Sequence, residues 1–171
     1  MRLLLVRHAK AEERDPALWP DDALRPLTDA GRSEFARFAK RLRAAGIVAD
    51  AVLASPAARA WATAELLHRH AKWPLPIRCP ALGPDDDAVL LRFRDVLPSD
   101  ARGTIALVGH DPAFSHTASW LLTADAARLS VDFKKGACLS LELPDEARDA
   151  PGGRATLEWL WTPRVARKKR S

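Results

Sequence analysis

The 171-residue chain contains no tyrosine, one methionine and only two cysteines. Two cysteines, Cys79 and Cys138, are too few for a disulfide framework or a four-ligand zinc site, and both are read as buried free thiols. No apolar run approaches the roughly 18 residues that a membrane-spanning helix needs. The N-terminus also lacks the basic, apolar and small-residue succession of a secretory signal, so the expectation is a cytoplasmic protein with no membrane partner. Acid is missing from the C-terminal end, where Arg164, Arg167, Lys168, Lys169 and Arg170 account for the net charge of +5 and leave 22 basic and 22 acidic residues elsewhere. A balanced body makes nucleic acid an unlikely partner. Residues 164–171 are expected to be a solvated basic tail beyond a single domain of residues 1–163. Neither repeats nor low-complexity linkers interrupt that domain. With 47% hydrophobic and 29% charged residues, it has the composition of a globular chain with one sizeable core.

The order of elements predicts an α/β three-layer sandwich with a largely parallel sheet. The run Leu3 to Val6 reads as a strand buried on both faces. Thr28 is positioned to cap a helix with Phe35, Phe38, Ala39 and Leu42 on one face, ended by Gly46. "DAVLAS" (50–55) reads as a second strand, with Ser55 as cap and Pro56 as first residue of a helix reaching about His70. "LPIRC" predicts a short strand, residues 87–97 a helix, and "TIALVG" (104–109) another buried strand, after which Asp111 caps a helix beginning at Pro112. "ACLSLEL" and "ATLEWLW" alternate with period two, as strands of a sheet-edge hairpin do.

Charged residues follow these apolar strands abruptly. In open α/β sheets, ligands bind outside the carboxyl ends of the strands. Arg7 and His8 follow the first strand, Arg59 lies in the first turn after "LASP", and His110 follows "IALVG". All four should meet on one rim. A cation in a helix's first turn opposes the helix dipole at a cost of about 0.3 to 1 kcal/mol, which marks Arg59 for function. Two arginines and two histidines beside a helix N-terminus suit a dianion such as phosphate. A histidine held among arginines stays neutral and nucleophilic, which points to phosphoryl transfer through histidine.

The blocks "LVRHAKAE", "RPLTDAGR", "LASPAARAWATAELL" and "LVGHDP" together resemble the histidine phosphatase superfamily, of phosphoglycerate mutase-like fold. They run in family order to about residue 123. The short chain and the "TPR" near its end most resemble the small SixA-type phosphohistidine phosphatases. The resemblance implies that His8 is the nucleophile, that Arg7 and Arg59 clamp the phosphate, and that His110 hydrogen-bonds the transferring group; no metal or cofactor is implied. The partner would be a phosphorylated protein or a small phosphorylated substrate. Two departures stand out: Ala9 replaces the glycine of an Arg-His-Gly sequence, and the place of the usual acid after the third strand holds Ala81, with acids only at Asp85, Asp86 and Asp87.

Three competing readings remain: a phosphatase for small phosphomonoesters, a non-catalytic phosphate-binding module, and a metal hydrolase using His8, His110 and Asp111. The two arginines would repel the divalent cation that the last requires. Cysteine-based phosphatase chemistry fails because neither cysteine is followed by an arginine six residues later. His68, His70 and His116 read as structural, as do the six tryptophans, with Trp159 and Trp161 on one strand face. Lys10 and Glu12 lie near the expected pocket.

Overall fold

The computed structural model describes residues 1–84, 96, 103–145 and 150–164. In chain order its main elements are β1 (Arg2–Arg7), α1 (Asp29–Ala44), β2 (Ala51–Ala54), α2 (Ala58–Leu66), β3 (Ile77–Arg78), β4 (Thr104–Gly109), α3 (Ala113–Thr123), β5 (Cys138–Glu142) and β6 (Thr156–Trp161). The strands form one sheet in the order β3-β2-β4-β1-β5-β6. The pairings β3-β2, β2-β4 and β4-β1 are parallel, whereas β5 runs antiparallel to both β1 and β6.

β1 is apolar throughout its middle because both sheet faces are covered. Leu4 and Val6 pack with Val52, Ala54, Ala106 and Val108 beneath the buried faces of α1 and α2. Leu3 and Leu5 pack with Leu53, Ile105 and Leu107 beneath α3. Alternate side chains of one strand thus serve opposite layers, and the fold is the expected α/β sandwich. Among the described residues no helix is long and apolar enough to cross a membrane.

Capping follows the expectation at α1 and departs from it at α2 and α3. Thr28 Oγ1 accepts from the Gly31 N–H at 2.9 Å, and Gly46 leaves the helix with φ of 72°. At α2 the cap position is Ala57, without a side-chain hydrogen bond, and the helix begins two residues after Pro56. The Ser55 hydroxyl lies ahead of the cap, accepting from the Ala57 N–H at 3.3 Å and lying 2.9 Å from His110 Nε2 at the end of β4. α2 ends at Leu66 and runs on as a π-helical turn, Leu67–Ala71. At α3 the first residue is Ala113. Asp111 does not cap it, because its carboxylate accepts from the Ser115 hydroxyl and also faces Arg7, with Oδ2 3.7 Å from Arg7 Nη1.

Cys138 is buried, whereas Cys79 is only half-buried, because the two-residue strand β3 leaves the sheet edge beside it open. The helix expected at 87–97 lies outside the described residues except for Val96, which is buried in the core beneath α3. Asp85, Asp86, Asp87 and the tail residues 165–171 also lie outside them.

Candidate active site

Three neighbouring parallel strands, β2, β4 and β1, end at one level. Arg7 pairs with Gly109 and Ala54 with Val108, so the chain leaves the sheet together at His8, His110 and Ser55. Backbone hydrogen bonds hold these exits, from His8 N to Gly109 O and from Ser55 N to Val108 O, both at 2.9 Å.

His8 is 6% exposed. Its Nδ1 lies 2.7 Å from the Ala9 carbonyl oxygen. A carbonyl only accepts, so Nδ1 carries the proton and, in the neutral ring, the Nε2 lone pair is free. Neutrality follows from the surroundings: burial above all, then the nearby His110, Arg59 and Arg7, push the His8 pKa down to about 3. His110, with its ring centroid 5.2 Å from that of His8, is likewise lowered to about 3, chiefly by burial and then by Arg59.

The loop after β1 is tied to three elements. The Ala9 N–H donates to Thr63 Oγ1 at 3.0 Å, and that hydroxyl donates to the Arg59 carbonyl at 2.7 Å. One threonine of α2 therefore joins the His8 loop to the turn carrying Arg59. On the other side Gly136 N donates to His8 O at 2.9 Å. Below, Thr28 N donates to Lys10 O at 3.1 Å. A Cβ on Gly31 would stand 2.2 Å from that same carbonyl, which is why the "TDAG" sequence has glycine where α1 meets the loop.

Arg59 is 3% exposed. Its Nη1 donates to the Asp22 carbonyl at 2.7 Å and its Nη2 lies 3.0 Å from Asp22 Oδ2. Arg7 Nη1 donates to Phe133 O at 2.5 Å. In both arginines Nε is buried and has no hydrogen-bond partner, and these are the only such side-chain atoms among the described residues. An unpaired buried donor costs about 1–3 kcal/mol, more when charged. Two of them on guanidinium groups whose charges both reach His8 make a place for an anion.

Asp22 was not among the sequence candidates. It is the first residue of the turn Asp22–Leu24 and faces three cations, Arg25 at 2.8 Å, Arg59 at 3.0 Å and Arg14 at 3.6 Å. The Arg25 hydrogen bond above all, opposed by burial and helped by the charges of Arg59, Arg25 and Arg14, holds its carboxyl below the usual carboxylate range. Thr63 and the bridge from Ser55 to His110 were also missed; the only signal of Thr63 was a hydroxyl on an apolar helix, and Ser55 carried the signal of a helix cap.

Of the remaining candidates, Lys10 is exposed and lines a cleft that also includes Arg7. Glu12 is exposed, and its backbone carbonyl accepts from Arg25 Nη1 at 2.6 Å. His68 Nδ1 donates to Trp73 O at 2.8 Å. His70 shares the far end of α1 with Lys40 and Lys72. His116 bonds through its backbone N–H to Pro112 O. Ala81 lies in the turn Pro80–Leu82 and brings no acid. Among the described residues no three His, Cys, Asp or Glu side chains gather as metal ligands.

Known proteins resemble the chain in sequence and in fold. The family model described as histidine phosphatase superfamily (branch 1) matches residues 3–81, which include Arg7, His8 and Arg59; His110 lies beyond the match. An uncharacterised protein of Picosynechococcus sp. is 32% identical over 113 residues, 66% of this chain and 67% of that protein. Among solved structures, the protein histidine phosphatase SixA complexed with tungstate superposes with a TM-score of 0.79 at 22% identity, over 98% of this chain and all of the other. The alpha-ribazole phosphatase from Shigella flexneri gives 0.60 at 20% identity, over 95% and 97%.

Proposed function

Because the chain belongs to the histidine phosphatase superfamily, we propose that it is a phosphatase that works through a phosphohistidine at His8 and acts on phosphohistidine in proteins. One observation carries the reading. His8 has Nδ1 anchored on Ala9 O, which leaves Nε2 unprotonated, and it lies within reach of two arginines whose buried Nε donors are unpaired.

In the first step the Nε2 lone pair attacks phosphorus, and the bond from phosphorus to the leaving nitrogen or oxygen breaks with its electron pair on the leaving group. In the second step water attacks the phosphorus of phosphohistidine, the P–Nε2 bond breaks, and inorganic phosphate departs as His8 returns to its neutral form. Arg7 and Arg59 stabilise the charge on the non-bridging oxygens in both steps, and His110 hydrogen-bonds the transferring group.

The choice of phosphohistidine rests on the proton. Asp22, the carboxylate whose charge reaches His110, is held ionised by three arginines, so it has no proton to give a leaving alkoxide. Phosphohistidine can be protonated on nitrogen by solvent and leaves as neutral imidazole, whereas an alkyl phosphomonoester needs a placed acid. The likeness to a SixA structure agrees with this reading, and the likeness to an alpha-ribazole phosphatase keeps small phosphomonoesters as its alternative.

Rapid quench with a labelled substrate tests it. The wild type should form an acid-labile, base-stable phosphoenzyme that His8→Ala lacks, and kcat/KM should be higher for a phosphohistidine peptide than for an alkyl phosphate. Label persisting in the mutant would overturn the nucleophile. Alkyl phosphate turnover with phosphohistidine untouched would move the assignment to small metabolites.

A further inference from the structure

Beside the His8 pocket lies a cleft of about 600 Å³ that shares Arg7 with it and is also lined by Lys10, Lys134, Lys135 and Arg164. Two carboxylates, Glu34 and Asp132, oppose these five cations. Asp132 and Lys134 pair with each other, Oδ2 lying 2.6 Å from Nζ in an exposed pair, which leaves Arg7, Lys10, Lys135 and Arg164 against Glu34. The excess is positive.

The walls are built rather than incidental. The loop bearing Lys134 and Lys135 closes through Ala137 N to Lys134 O at 2.9 Å, and its Gly136 N donates to the carbonyl of His8 itself. The opposite wall, Pro163, accepts from Arg41 Nη1 at 3.3 Å. The two walls touch: a Cβ on Gly136 would stand 3.0 Å from Pro163 Cγ. Cations from three separate segments are therefore held beside the nucleophile, and the chain continues past Arg164 into Arg167, Lys168, Lys169 and Arg170.

We propose that this cleft binds acidic side chains flanking the phosphorylated residue of a polypeptide substrate. The inference rests on the phosphatase reading and specifies its substrate. A small-molecule site is concave and mostly apolar, with a few converging polar groups. Here Lys10, Lys134, Lys135 and Arg164 are all exposed and spread over separate segments. That distribution suits an extended acidic chain, whose successive carboxylates meet successive cations. Such contacts raise the encounter rate and lower KM, and they weaken as salt screens them over about 8–10 Å at 0.1–0.15 M.

The test compares a phosphohistidine peptide flanked by three glutamates with one flanked by three glutamines. At low salt the acidic peptide should have about tenfold higher kcat/KM, mostly through KM, and 0.5 M salt should bring the two within about twofold. Lys134→Glu/Lys135→Glu should reverse the preference. If that variant misfolds, the salt dependence of the wild type still decides. Equal kcat/KM for the two peptides at low salt overturns the proposal, as does a preference that survives both salt and charge reversal. A small bisphosphate preferred over the acidic peptide also overturns it, giving the cleft to metabolites. An aryl phosphate assayed alongside separates the readings: its turnover without any flank preference sinks the cleft assignment alone, whereas no turnover of any substrate sinks the phosphatase reading and the cleft proposal with it.

Discussion

Replacing Arg59 by alanine removes a guanidinium group that is 3% exposed and faces the same pocket as His8. Its two terminal nitrogens are held by Asp22 while Nε has no partner. If the unpaired edge meets the transferring phosphoryl group, alanine deletes one preorganised electrostatic donor, worth about 10²–10³ in kcat or roughly 2.7–4 kcal/mol. The fold should lose less. The variant gives up the hydrogen bond to Asp22 O, at about 0.5–1.5 kcal/mol, and the charge-assisted contact with Asp22 Oδ2, at about 1.5–3 kcal/mol, and regains about 0.3–1 kcal/mol by removing a cation from the positive end of α2. Asp22 keeps Arg25 at 2.8 Å, and water can fill so polar a space.

The assay is steady-state turnover of an aryl phosphate by Arg59→Ala and Arg59→Lys, with folded fractions matched by circular dichroism. Lysine keeps the charge without the fork that holds Asp22 and presents Nε together, so an intermediate loss is expected. Turnover of the alanine variant within threefold of wild type, at equal folded fraction, would refute the reasoning and make Arg59 a structural partner of Asp22.

Stability should fall with acid in a way traceable to the two buried histidines. Their pKa values near 3 in the folded protein lie below the ordinary 6.5. The unfolded chain therefore binds protons on them first, and stability that is full above about pH 6.5 drains as pH falls toward 3. Urea midpoints at pH 7 and 4.5 should differ less in His8→Asn than in wild type; an unchanged difference would mean that His8 is not buried in its neutral form. Thr63→Val keeps the shape of the side chain but leaves the Ala9 N–H without its acceptor, which should cost about 1–3 kcal/mol. It should also lower turnover of the aryl phosphate by loosening the His8 loop from Arg59. Wild-type stability and turnover in Thr63→Val would show that the bridge positions nothing.

Strand ends were legible in the sequence for a physical reason. A run such as "LLLVRHAK" changes from apolar to charged where the chain leaves a sheet covered on both faces, so His8 and His110 announce themselves locally. Helix starts were less legible. Ser55 and Asp111 both have the chemistry of caps and both stand before a proline, yet neither takes its helix's cap position: the Ser55 hydroxyl accepts from the nearby Ala57 N–H and meets His110 across the fold, and the Asp111 carboxylate accepts from Ser115 one turn on and faces Arg7 across the fold. A cap is a local bargain that a tertiary partner can outbid.

Asp22 was illegible for a third reason. It lies within "WPDDALRP", where two adjacent aspartates carry the same local signal. One of them, Asp21, does what that signal says, its Oδ1 accepting from the Ala23 N–H at 2.9 Å to cap the turn. The other turns its carboxylate toward Arg59, 37 residues away in sequence. No pattern of spacing separates the two, because the difference is which of them the fold sets against a buried cation. Once Arg59 is suspected of lying in a pocket, however, electrostatics demands such a residue: a nearly buried guanidinium has its charged form disfavoured by desolvation, as the downward push on the Arg59 pKa reflects, and a carboxylate must offset part of that cost. An arginine buried at a helix N-terminus thus implies a carboxylate partner, to be sought on the loops above the sheet's carboxyl end.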